Sequence, residues 1–148
     1  MKSTMKLPKQ ENKPRYYVVI DTNVIVSAML KWQSLPGNIL TLVFEGVVVP
    51  VFNDEIIREY REVLSRPKFN LTKTIIDDFV GNIEEVGISI EAETLDVVFT
   101  DPKDKIFYEI TMEHRKSDET YLVTGNIKHF PAQRFVVTPR EMLEIILG

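Results

Sequence analysis

The 148-residue chain contains no cysteine. That absence excludes disulfides, zinc–thiolate sites and thiol catalysis, and it is unremarkable in a cytosolic setting. Long apolar runs are missing too: none approaches the ~20 residues that a membrane-spanning helix needs. The Lys-rich start, Met1 to Arg15, carries no apolar signal core. Together these features predict a cytoplasmic protein with no membrane partner. Nor is positive charge in excess. With 18 Lys and Arg against 22 Asp and Glu the net charge is −4, which argues against a broad basic face and tight non-specific nucleic-acid binding. An enzyme that docks a short strand locally stays compatible with that balance. Only two histidines occur, His114 and His129. Neither is flanked by a nucleophile arrangement, so structural or surface roles are expected for both. His114, near a helix end, would complement the helix dipole as a cation.

What is present is an ordinary globular composition, 44% hydrophobic and 27% charged, long enough for one domain with a sizeable core. Residues 1–14 read as a polar, flexible tail and 15–148 as the folded domain. Tyr17-Val18-Val19-Ile20 is a continuous apolar run that stops on Asp21. Such a run fits a strand buried on both faces of a parallel sheet. Its polar end, Asp21-Thr22-Asn23, then falls at the carboxyl edge, where open α/β sheets bind ligands.

Further strands are predicted at Val47–Phe52, Ile88–Ile90, Thr120–Val123 and Phe135–Val137. Pro50 removes one ladder donor from the second. Helices are predicted at Asn23–Leu30, from an Asn38 cap to Phe44, from an Asn53-Asp54 cap to Ser65, over Thr72–Glu85, from an Asp101 cap to His114, and over Glu141–Leu147 behind a Thr138 capping box. Strands alternate with helices, so the class is α/β with a mostly parallel sheet of about five strands.

Several polar groups return to the edge where Asp21 sits. Asp21 alone reads equally well as a helix cap. In the helix after Asn53 the apolar stripe is Ile56, Ile57, Tyr60, Val63 and Leu64, roughly 120° wide at about 100° per residue. Glu59 lies about 40° from its edge on the same wheel, closer than Glu55 or Glu62. It is the acid of that helix best placed to reach inward, although Arg58, Glu59, Arg61 and Glu62 also read as one solvated face. Asp101 is most simply a cap. Asp104, one turn in, lies at the positive helix end, which favours an ionised carboxylate. Asn126 follows the strand Tyr121–Val123, with Thr124 and Gly125 making the turn, and in isolation reads as a turn asparagine. Asp118 and Glu119 precede that strand and fall at the opposite edge. Clustered carboxylates with few ligands suit a hard divalent cation, Mg2+ with Mn2+ as a substitute.

These stretches resemble the PIN-domain family of metal-dependent ribonucleases, and most closely its branch of toxins from toxin–antitoxin modules. The residues that carry the likeness are Val18 to Asn23, Glu55 to Leu64 with Arg66-Pro67-Lys68-Phe69, Asp101 to Asp104, Tyr121 to Asn126 with His129-Phe130, and Thr138 to Glu141. The resemblance implies a three-layer α/β/α domain and a Mg2+-dependent endoribonuclease that hydrolyses RNA by metal-activated water. It implies metal ligation by Asp21, Glu59 and Asp104, supported by Thr22, Asn23 and Thr124. The family's fourth acid position falls on Asn126, whose amide adds no charge, so a single metal is expected. The implied partners are RNA, an antitoxin protein and a second copy of the chain. Asn126 and the acidic balance also motivate an alternative, a PIN-fold RNA- or protein-binding module with little or no turnover. A phosphatase that opens with Asp-x-Asp is disfavoured, because Asn23 stands where the second Asp would be.

Overall fold

A computed structural model describes residues 15–148. The expected tail, residues 1–14, lies outside the described residues. Five parallel strands form one sheet in the order β3-β2-β1-β4-β5. They are β1 Tyr16–Ile20, β2 Val48–Phe52, β3 Ile88–Ser89, β4 Thr120–Val123 and β5 Val136–Val137. Six α-helices flank the sheet in a three-layer α/β/α arrangement: α1 Thr22–Leu30, α2 Leu35–Phe44, α3 Asp54–Leu64, α4 Lys73–Val86, α5 Lys105–His114 and α6 Pro139–Leu147. No helix among the described residues is long and apolar enough to cross a membrane.

The central strands are apolar because both of their faces are covered. Val18, Val19 and Ile20 are buried, as is every residue of β2. Pro50 is accommodated within β2, paired with Val18. α5 packs on β1, β2 and β4, placing Phe107 and Ile110 in the core. On α3 the amphipathic stripe buries Ile56, Ile57, Tyr60, Val63 and Leu64. The buried Tyr60 hydroxyl donates to the Ile20 carbonyl, which fixes α3 against the end of β1.

Three local details differ from the sequence expectation. The cap of α2 is Ser34 rather than Asn38, its hydroxyl accepting from the Gly37 N–H at 3.1 Å. The signal was misplaced because Pro36 is tolerated inside the first turn, where no intrahelical donor is lost. The segment after Asp101 opens as a 3-10 turn, Pro102–Asp104, and becomes α-helical only at Lys105. Asp104 therefore sits at the junction, not one turn into a helix. His114 is buried, its Nδ1 2.7 Å from Thr120 Oγ1, and burial lowers its pKa. Its charged form is thereby disfavoured at the end of α5, and it serves the structural role expected of it.

Two glycines separate close approach from mere permissiveness. A Cβ at buried Gly37 would run into the Trp32 backbone carbonyl, whereas one at Gly81, inside α4, meets nothing within 4 Å. Gly37→Ala should destabilise the protein by about 1–3 kcal/mol. Gly81→Ala should stabilise it by about 0.5–1 kcal/mol through helix propensity. Urea unfolding of the two variants checks the opposite signs.

Candidate active site at the carboxyl edge of the sheet

The chain leaves β1 for β2 on one side and returns to β4 on the other. The carboxyl ends of β1 and β4 thus form the switch point where open α/β sheets take ligands. Asp21 ends β1 there, with its backbone N–H bonded to the Val123 carbonyl at 2.9 Å. It occupies the N-cap position of α1, but its carboxylate makes no capping hydrogen bond. That carboxylate instead accepts from Thr124 Oγ1 at 2.7 Å and from Asn23 Nδ2 at 3.2 Å. Asn23 in turn accepts from the Gly125 N–H at 3.1 Å, and Thr124 Oγ1 accepts from the Asn126 N–H at 3.0 Å. The turn after β4 is therefore tied to the turn after β1 through Asp21.

Glu59 reaches the same place from α3, where its Oε2 accepts from Thr22 Oγ1 at 3.4 Å. Arg61 of the same helix points elsewhere, pairing with Asp77 at 2.7 Å and with Glu84 at 3.2 Å. Asp104 closes the opposite wall, its side chain 16% exposed. Asp101 caps the Lys103 N–H at 3.0 Å, and also lines the wall. Asp21, Glu59, Asp104, Thr22, Asn23 and Asn126 all border one cleft of about 470 Å³. Thr124 lies fully buried behind it. A larger hollow of about 900 Å³ beside Phe130 and Phe135 carries no carboxylate and has none of this chemistry.

The cleft also holds groups that sequence reading did not assign to it: Arg66, Phe69, Lys103 and His129. His129 joins two elements of the site, with Nδ1 3.4 Å from Asp104 Oδ2 and Nε2 3.1 Å from Asn126 Nδ2. The Asn126 amide nitrogen can only donate, so Nε2 is the acceptor in that contact and Nδ1 is the ring nitrogen that faces Asp104. The signals in the sequence were its place among the residues of the resemblance and its position three residues after Asn126, and neither speaks of Asp104.

Electrostatics single out Asp21. Its residue is 6% exposed, and no basic side chain of the described residues lies in ion-pair contact with Asp21 or Glu59. Burial, reinforced by the charges of Asp104 and Glu59, raises the Asp21 pKa from 3.8 to about 6 against the pull of the Thr124 hydrogen bond. Burial also raises Glu59, opposed by Lys103. Asp104 is raised by burial and by Asp101, opposed by His129. Three carboxylates and an amide make an all-oxygen donor set, which suits a hard cation rather than zinc. As the side chains stand, no three His, Asp or Glu groups among the described residues are gathered tightly enough to hold one ion.

In this chain a parallel α/β domain collects its acids at the switch point of the sheet. The PIN-domain family model matches residues 17–128, and the chain belongs to the PIN-domain family. Members of this family are generally nucleases that use divalent metals. The chain is also similar to Uncharacterized protein MJ1680 of Methanocaldococcus jannaschii, at 28% identity over 143 residues, covering 86% of this chain and 89% of that protein.

The raised Asp21 pKa makes a stability prediction for the metal-free protein. Below pH 3.8 the group is protonated in both folded and unfolded chains. Between pH 3.8 and about 6 the unfolded chain sheds the proton first, so stability falls as pH rises. Above pH 6 the full cost is on the order of 3 kcal/mol at 1.36 kcal/mol per pKa unit. Asp21→Asn should therefore match the wild type at pH 3.5 in urea unfolding with EDTA present, and exceed it by about 1–3 kcal/mol at pH 7.5. A less stable variant at pH 7.5 contradicts this assignment.

Proposed function

We propose that this protein is a Mg2+-dependent endoribonuclease, with Mn2+ as a substitute ion, that hydrolyses RNA phosphodiester bonds. The observation that carries the reading is the buried Asp21 carboxylate, which shares its cleft with Glu59 and Asp104 and has no basic side chain among the described residues in ion-pair contact with it. Asp21, Glu59 and Asp104 would hold the ion, after rotations that bring their oxygens together. When bound, a divalent cation there supplies charge neutralisation at the phosphoryl group and lowers the pKa of a water.

The surrounding residues orient and balance that set. Thr124 and Asn23 each donate to the same oxygen of Asp21, Oδ2, and so hold the carboxylate in place. Thr22 steers Glu59. His129 spans Asp104 and Asn126, and the donated Asn126 amide leaves its carbonyl oxygen free for the site. Lys103 and Arg66 bring positive charge to the rim, which favours a phosphate backbone despite the net charge of −4. The reading extends to the toxin role of a toxin–antitoxin pair in the cytoplasm, with an antitoxin protein as partner and a homodimer as the working form. That extension rests on the branch of the family that the motifs resemble. A second reading, a PIN-fold binding module with little turnover, is favoured by Asn126 at the fourth acid position.

Cleavage of a single-stranded RNA by purified protein with Mg2+ or Mn2+ separates the two. Asp21→Asn, Asp104→Asn and Glu59→Gln should each lower the rate by roughly 100-fold or more, and Thr124→Val by about 10-fold, as expected for lost ligands and for a lost orienting bond. Undiminished cleavage by Asp21→Asn rules out the proposed site, and absence of cleavage by the wild type favours the binding module.

A further inference from the structure

Between α3 and α4 the chain makes a 3-10 turn, Pro67–Phe69, preceded by Arg66 and followed by Asn70. Pro67 sets its first position. The Phe69 N–H bonds to the Arg66 carbonyl and the Asn70 N–H to the Pro67 carbonyl, both at 3.0 Å. Asn70 ends it in the left-handed region, at φ 53°, a conformation that non-glycine residues adopt uncommonly and Asn tolerates best. Arg66 is the extended residue that leads into this turn, at φ −63° and ψ 135°, and Phe69 is its last residue. Both line the cleft that holds Asp21, Glu59 and Asp104.

Neither side chain is explained by the fold. Phe69 is half-buried, yet it belongs neither to the hydrophobic core nor to the partly buried apolar residues packed against that core. Arg66 is exposed and forms no ion pair with another described residue, and the same holds for Lys103 across the cleft. Arg66 and Lys103 both lie close enough to Glu59 to lower its pKa against the effect of burial. Lys68 Nζ stands 5.2 Å from the Phe69 ring centroid, adding positive charge beside an aromatic face. An aromatic ring and free cations beside a phosphodiester-cleaving centre form the combination that grips a single strand, with bases on the ring and phosphates on the cations.

We propose that Arg66 and Phe69 form a nucleotide subsite for single-stranded RNA, in which a base stacks on Phe69 and the adjoining phosphate is held by Arg66 with Lys103. The subsite rests on the reading of the cleft as a nuclease site and adds to it how the strand is gripped. It also accounts for local strand docking by a chain of net negative charge.

The test is anisotropy binding of a fluorescein-labelled RNA hexanucleotide to the full chain, with Ca2+ in place of Mg2+. A matched hexamer with abasic riboses serves as the second probe. Phe69→Ala and Phe69→Leu should both weaken binding of the base-bearing strand by about 10-fold, while Phe69→Trp retains it. None of the three should alter binding of the abasic strand. Arg66→Gln should weaken both strands and reduce the slope of log K against log salt by about 0.7. A merely structural role for Phe69 would be rescued by Leu, and that result overturns the subsite. So does equal binding of the base-bearing strand by wild type and Phe69→Ala, or no binding by the wild type. The cleavage rate of Asp21→Asn reports on the catalytic reading separately, so the two can fail independently.

Discussion

Everything at the carboxyl edge of the sheet depends on holding one carboxylate where a carboxylate is costly. Asp21 is 6% exposed at the end of the central strand, with Asp104 and Glu59 near enough to raise its pKa further. The fold tolerates this because donors are supplied from two directions. Thr124 donates from the turn after β4, and Asn23 from the first turn of α1. Both turns are then locked to each other by the Gly125 N–H on Asn23 Oδ1. Among the described residues, no buried side-chain nitrogen or oxygen is left without a partner. The buried part of the polar network is therefore satisfied, the condition under which such a network rigidifies a site.

The scaffold supplies the rest by rigid elements rather than by loops. β1 and β4 set Asp21 and Thr124 side by side through register, with Ile20 paired to Val123. Tyr60 fixes α3 to the end of β1 through the Ile20 carbonyl, and Glu59, the preceding residue, is thereby aimed at the cleft. The 3-10 start of α5 brings Asp104 to the opposite wall and leaves its carboxylate free of capping. Acids thus arrive from three elements, and His129 ties the third to Asn126. The charges of Asp104 and Glu59 add to the burial cost of Asp21, a cost that a bound divalent cation would offset.

Much of this was legible in the sequence because the relevant constraints are local or periodic. The parallel sheet followed from unbroken apolar runs, and Asp21 from the abrupt end of the first. The inward lean of Glu59 followed from the helical wheel of α3. Where the Asp21 carboxylate is held could not be decided from one stretch, because its partner Thr124 lies 103 residues away. The same holds for His129 and Asp104, which meet only once α5 packs on β4. The Ser34 cap and the 3-10 turn before α5 were misread where prolines sit within a helix's first turn, a position at which several starts share one composition. Arg66 and Phe69 were recognised as part of a motif, but only the fold places them in the cleft.

Anomalous diffraction from a crystal soaked in Mn2+ tests the central claim most directly. The account predicts a peak between the carboxylates of Asp21, Glu59 and Asp104, with no peak when Asp21→Asn is treated alike. A saturating soak that leaves this position without a peak, or that places manganese elsewhere in the molecule, would contradict it.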